Sequence, residues 1–164
     1  MVSAGTARLL DELLHVIRDL FHYPHAAILL ADEAGKHLFL QASCGYRKQV
    51  GRAFQIAIGK ELITRWAAAQ RKPLVVPDVR RDPRYIPGIV HGRSEIAVPL
   101  LIGKRLIGVL DVESEKVNAF SRPDLRILSL FAAQAAVAIE NARLYQESKA
   151  AKDRLQKLIE SSSD

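Results

Sequence analysis

The apolar positions change period several times along the chain, and each change marks a new element. From Thr6 to Phe21, Leu9, Leu10, Leu13, Leu14, Ile17, Leu20 and Phe21 recur at helical spacing. This predicts an amphipathic helix capped by Thr6 and ended before Pro24, because proline disfavours helical geometry at the residue before it. "HAAILLAD" and "KHLFLQAS" flank the glycine-bearing turn "EAG", a hairpin signal. "RAFQIAI" alternates as a third strand, and "GKELITRWAAAQRK" places Leu62, Ile63, Trp66 and Ala69 on one helical face. "PLVVPD", hemmed by Pro73 and Pro77, reads as a brief edge strand. Residues 78–93 hold no sustained period, and one helical turn is expected to start at Asp82-Pro83. Irregular segments of this length tend to be functional.

Two nearly continuous apolar runs follow, "SEIAVPLLI" and "RLIGVLDVE", joined by Gly103-Lys104. A glycine-first pair suits a type II′ hairpin turn, and strands apolar on both faces belong inside a covered sheet. Pro99 then needs a place where its missing N–H faces no partner. Ser121-Arg122-Pro123-Asp124 fits a capping box: the Ser121 hydroxyl accepts from the Asp124 N–H, and the Asp124 carboxylate reaches back. The helix it opens is expected to run from about Arg122 to Glu160 with two apolar stripes. One is Leu128, Phe131, Ala132, Ala135, Ala138, Ile139, Ala142 and Tyr145, whose alanines allow close approach to a sheet. The other is Ile127, Leu130, Gln134, Val137, Asn141, Leu144, Ser148, Ala151, Leu155 and Leu158, in the strict alternation of three and four that makes a heptad seam. A helix apolar on two sides must bury two sides. One sheet covers one of them, and a second copy of the chain is the economical cover for the other. The alternative is burial of both stripes in one chain, with the first helix covering the second stripe.

At 164 residues the chain has length for one domain with a real core, and 49% hydrophobic with 26% charged residues places it among soluble globular proteins. The reading divides it into residues 1–147 and a linker, 148–164. No run approaches the roughly 18–20 uninterrupted apolar residues of a membrane span, and the first helix carries acids within its apolar pattern, unlike a signal peptide. No membrane segment and a cytoplasmic location are therefore expected. The net charge is +6, with basic residues concentrated only at residues 71–93. No nucleic-acid motif accompanies them, so the segment reads as a solvated loop and no nucleic-acid partner is expected. Cys44 is the only cysteine, which rules out an intrachain disulfide and leaves no Cys/His cluster for a metal. The five histidines are scattered, and no nucleophile elbow or phosphate loop occurs. No enzyme is expected, and no cofactor is specified.

In order along the chain, the hairpin, third strand, short helix, "PLVVPDV", "DPRY" turn, "SEIAVPLLIGKRLIGVLDVES", "NAFSRPD" and "LSLFAAQAAVAIENARLYQE" resemble a GAF domain over about Leu9 to Glu147. The resemblance implies an α+β fold: a central antiparallel sheet of five or six strands, terminal helices on one face, and a small-molecule pocket on the other. It also implies a regulatory sensor attached to a signalling output such as a histidine kinase or diguanylate cyclase. "LQKLIESSSD" resembles the usual lead-in to a PAS domain. Subfamily chemistry can be compared residue by residue. Bilin-binding members attach chromophore through a cysteine often followed by histidine, whereas Cys44 precedes Gly45 on another segment. Of the cyclic-nucleotide signature, Phe120 and Asp124 fit, the Asn-Lys is absent, and Leu125 replaces the final Glu. Free methionine sulfoxide reductases need several cysteines. Haem-binding members use a histidine in the loop before the central hairpin, near His91. Where the family often has Gly-x-Gly before the short helix, this chain has Glu61.

The resemblance places the pocket between the sheet and residues 66–94, with Phe54, Trp66, Asp78, Tyr85, His91, Arg93, Ser94 and Glu95 as candidate lining. Each has a structural alternative: Trp66 as core, Asp78 as a turn cap, Ser94 and Glu95 as a solvated strand mouth. With Arg93 facing inward, an anionic ligand is expected. The expected function is sensing of a small molecule, with the signal leaving through a homodimer of terminal helices. The rival readings are a ligand-free dimerisation scaffold and an enzyme using Cys44.

Overall fold

The computed structural model describes residues 2–46, 55–57, 62–87, 89 and 91–163. Along the chain run α1 (Ala4–Asp19), β1 (Ala26–Ala31), β2 (His37–Cys44), β3 (Gln55–Ala57), α2 (Ile63–Gln70), β4 (Leu74–Val76), a 3-10 turn (Val79–Arg81), β5 (Ser94–Ile102), β6 (Arg105–Ser114) and α3 (Arg122–Ser162). The strands form one six-stranded antiparallel sheet in the order β3-β2-β1-β6-β5-β4. The fold is α+β, as the resemblance implied.

The continuous apolar runs β5 and β6 lie inside the sheet, and "PLVVPD" lies at its edge. Gly103 has φ 60°, while Lys104 keeps a negative φ, the signature of the expected type II′ turn. β4 pairs only with Glu95–Ala97, so Pro99 lies where the outer edge of β5 has run past its neighbour. Gly108 has a different reason to be glycine: a Cβ there would stand 2.0 Å from the Leu29 carbonyl oxygen. Only a bare Cα lets β6 close on β1 at this point.

Each face of the sheet has its own core. On one, Leu10, Leu14 and Ile17 of α1 and Leu128, Ala132, Ala135, Ala136 and Ile139 of α3 pack on Ile28, Ile96, Leu110 and Val112. On the other, Ile63, Ala67 and Ala68 of α2, with Val76 and Val79, cover Ala27, Leu29, Ala97 and Val109.

Several expected boundaries move. Ser3, not Thr6, caps α1: its Oγ accepts from the Thr6 N–H at 3.1 Å, and Thr6 is buried. The apolar pattern starts only at Leu9 and carries no information about the turn before it. The helix ends at Asp19, Leu20 is exposed, and His22 (φ 62°) reverses the chain. Phe21 meets Phe131 edge-on at 5.8 Å. The short helical turn falls at Val79–Arg81 rather than Asp82-Pro83, because Asp78 caps it and Val79 anchors it in the second core.

The capping box at Ser121 and Asp124 forms in both directions. Tyr23 adds a third bond by donating to Asp124 Oδ1, tying the end of the first connection to the start of α3. The sheet-facing stripe holds through Ile139, but Tyr145 is 67% exposed because the helix has by then passed the sheet. The seam stands open: Leu130 is 65% exposed, Leu144 52% and Leu158 67%. α1 therefore leaves the second stripe uncovered. One stretch of α3 is long and apolar enough by composition to cross a membrane; here its apolar residues are divided between these two sides.

Candidate ligand-binding site

Strand register builds the site. Glu95 pairs with Glu113 and Ala97 with Asp111 across β5 and β6, while Ala27 pairs with Asp111 across β1 and β6. Alternation along each strand sends these side chains to one face. That is the face of α2, since Ala27, Ala97 and Val109 all belong to the second core. Glu95, Asp111 and Glu113 are 4%, 5% and 2% exposed, which is rare for carboxyl groups.

Tyr46, which follows β2, donates its O–H to Asp111 Oδ2 at 2.7 Å. Glu95 and Asp111 lie close enough on neighbouring strands for each carboxyl to shift the other's ionisation. Burial, then the charge of Asp111, pushes the Glu95 carboxyl well above its ordinary range. Burial also raises Asp111, against the lowering effect of bonds from Glu95 and Tyr46. Burial and the three carboxyls together raise the Tyr46 phenol. Glu95 Oε2 and Asp111 Oδ1 are buried with no hydrogen-bond donor among the described residues. Among the described residues, Glu95 and Asp111 thus present more acceptor oxygens than there are donors to meet them.

The loop after the 3-10 turn closes over the same layer. Arg84 makes a bidentate pair with Asp82 (2.9 and 2.7 Å), and its guanidinium lies 5.9 Å from the centre of the Trp66 ring. Tyr85 packs against the second core, and its hydroxyl comes so close to Gly92 that a Cβ there would clash.

The candidates read from sequence separate accordingly. Glu95 lies in the cluster, with Trp66 and Tyr85 in the layer around it. Asp78 caps the 3-10 turn and pairs with Arg80 at 2.9 Å. His91 is exposed, and Arg93 donates to the Gly92 carbonyl at 3.0 Å. Ser94 alternates with Glu95: it donates to the Lys116 carbonyl at 2.6 Å and accepts from the Ala119 N–H at 3.4 Å. Phe54 and Glu61 lie outside the described residues. Cys44 packs against the α1–α3 core, on the opposite face of the sheet, where burial raises its thiol pKa. Among the described residues, no group of His, Cys, Asp and Glu is placed to hold a metal ion.

Sequence reading missed Asp111, Glu113 and Tyr46. The available signal was two acids at alternate positions of "GVLDVES", inside a strand that had to be buried on both faces.

The GAF domain family model matches residues 3–140. GAF domain-containing protein A of Dictyostelium discoideum is 43% identical over 60 residues, 37% of this chain and 38% of the relative's length. Free methionine-R-sulfoxide reductase from Neisseria meningitidis, solved in complex with its substrate, superposes with TM-score 0.73 at 28% identity, over 86% of this chain and 81% of that one. The GAF domain of a phosphoenolpyruvate-protein phosphotransferase from Coxiella burnetii superposes with TM-score 0.78 at 14% identity, over 89% of each chain. Structural neighbours thus come from signalling proteins and from an enzyme. With its two-faced sheet, its terminal helices on one side and the family's pattern along most of its length, the chain belongs to the GAF domain family.

Proposed function

We propose that this GAF domain is a sensor whose ligand is a small molecule carrying a protonated amine, held by Glu95, Asp111 and Glu113. One observation carries the reading: three carboxyl groups on adjacent strands, each more than nine-tenths buried, facing one layer. An ammonium group brings three N–H donors to the buried Glu95 and Asp111 oxygens, and a positive charge that offsets their mutual repulsion. An anion would meet like charge in a poorly screened place. The ligand's sign is therefore opposite to that expected from Arg93, whose guanidinium bonds the Gly92 carbonyl. The relative from Neisseria meningitidis adds support, because its substrate, free methionine-R-sulfoxide, is an amino acid.

Binding without turnover is the reading favoured here. Thiol chemistry needs its nucleophile beside the ligand, and Cys44 lies across the sheet from the carboxyl cluster. The output runs through α3, whose uncovered stripe receives a second copy of the chain. Binding calorimetry tests the ligand class with L-methionine, its sulfoxide and other amino acids against their N-acetylated forms. Free amines should bind, acetylated forms should not, and Asp111→Asn should weaken binding about tenfold or more, as expected for a charge-assisted bond. Equal binding of acetylated compounds, or unaltered affinity in Asp111→Asn, overturns the reading. Binding of no amine would leave the scaffold reading standing, and turnover of the sulfoxide with a dithiol would make the protein an enzyme.

A further inference from the structure

Cys44 and Tyr46 are two residues apart, so strand alternation would keep both on one face of the sheet. They lie on opposite faces: Cys44 packs against the α1–α3 core, and Tyr46 against the core beneath α2. The alternation breaks at Gly45, which takes a left-handed φ of 74°. A Cβ there would stand 2.5 Å from the Pro24 carbonyl oxygen, so the reversal needs a bare Cα. It carries one phenol from the end of β2 to the carboxyl side of the sheet.

There Tyr46 has a single proton to donate, and Asp111 takes it. The hydroxyl lies 2.7 Å from Asp111 Oδ2 and 3.5 Å from the carbonyl oxygen of the same residue. We infer that Tyr46 is a positioning residue of this site, placing the negative charge on Asp111 and leaving its Oδ1 to receive the ligand's ammonium group. The inference rests on the amine reading and adds which of the three acids anchors the cation.

A hydrogen bond donated to the ionised form of an acid favours that form, and burial opposes several charges standing together. Glu95 is the better place for a proton, because burial and then the charge of Asp111 both push its carboxyl up. At Asp111 the Tyr46 bond works against burial. The other charged or titratable groups over this layer are Glu113 on β6, Tyr85 and the Asp82–Arg84 pair on the loop, and Arg65 on α2, whose Nε is buried. Asp82 adds its charge at Glu95, which again favours the proton there.

The test follows the carboxyl carbons of the ligand-free protein by NMR through a pH titration, with Asp111→Asn assigning the resonance. In Tyr46→Phe, Asp111 should hold its proton to about one pH unit higher, the effect of losing one good hydrogen bond to a charged group. Ring-fluorinated tyrosine, a stronger O–H donor of nearly the same shape, should move that resonance to lower pH, and it serves where Tyr46→Phe does not fold. Calorimetry with L-methionine is the second readout. An ammonium group needs Asp111 ionised. Tyr46→Phe should therefore weaken binding about fivefold at the pH where the parent's Asp111 is half ionised, and progressively less as pH rises. An Asp111 titration that moves with neither change overturns the inference. So does an affinity loss of one size at every pH, which a merely structural role would give. If no amine binds the parent, the amine reading falls, and the carboxyl titration still decides where the charge sits.

Discussion

Asp111 sits between two alanines, Ala27 and Ala97, one on each neighbouring strand. Larger residues there would fill the space in front of its carboxylate, so small neighbours and a buried acid form one arrangement. Its cost should be visible in the pH dependence of stability. Burial raises the carboxyl pKa values of Glu95 and Asp111 in the folded state. The folded protein therefore keeps protons that the unfolded chain has released. This contribution to stability is fully present below the ordinary carboxyl range, near pH 4, and is lost as pH rises through the folded values. Glu95→Gln keeps the shape and the donor while removing the titration. At pH 8, without ligand, it should melt about 3 °C higher than the parent, as expected for roughly 1 kcal/mol at this chain length. Toward pH 5 the gain should shrink, as followed by scanning calorimetry. A parent-like melting point at pH 8 would mean that Glu95 holds no proton there. Little of this was legible in the sequence, because it depends on cross-strand register. Glu95 and Asp111 are 16 residues apart, and Tyr46 reaches Asp111 from 65 residues away. Nothing local in "SEIAV" or "LDVES" says that their acids share a face.

Elements were more legible where their signals are local. The Gly103-Lys104 turn and the Ser121–Asp124 capping box each lie within a few residues, and the fold honours both. Tyr145 failed for a complementary reason. Periodicity says which way a side chain points, but not how far the sheet beneath it extends. The glycines of the β5–β6 hairpin separate two uses of one residue type. Gly103 has open space and a left-handed φ, so Gly103→Ala should cost about 1 kcal/mol. At Gly108 the backbone of β1 occupies the space, and Gly108→Ala should cost about 2–3 kcal/mol through overpacking against groups that cannot rotate away. Urea unfolding of the two variants checks the order. If Gly108→Ala is the milder, β1 and β6 are not held as closely as described.

At the scale of the whole molecule, the layer around the carboxyl cluster and the leader of α3 are stitched together. The Val79 N–H bonds the Arg93 carbonyl (2.7 Å), the Arg93 N–H bonds Ser114 (2.8 Å), and the Asn118 N–H bonds Pro77 (2.8 Å). Ser94, beside Glu95, holds both Lys116 and Ala119. The far half of α3 bears none of this. A chain ending at Gln146 should keep its melting temperature to within a few degrees, because residues 147–163 are exposed throughout. The proposed pairing of two copies along α3 should loosen at least tenfold by sedimentation, having lost the exposed Leu155, Leu158 and Ile159. An unchanged dissociation constant would place the whole interface on the globular part. One mechanical consequence follows from the Ser94 stitches. They sit at the root of a 41-residue helix about 60 Å long. Pivoted there, a tilt of about one degree sweeps the distant tip through about 1 Å. A ligand that wedges the strand mouth by a fraction of a bond length would be read out as a lever stroke many times larger.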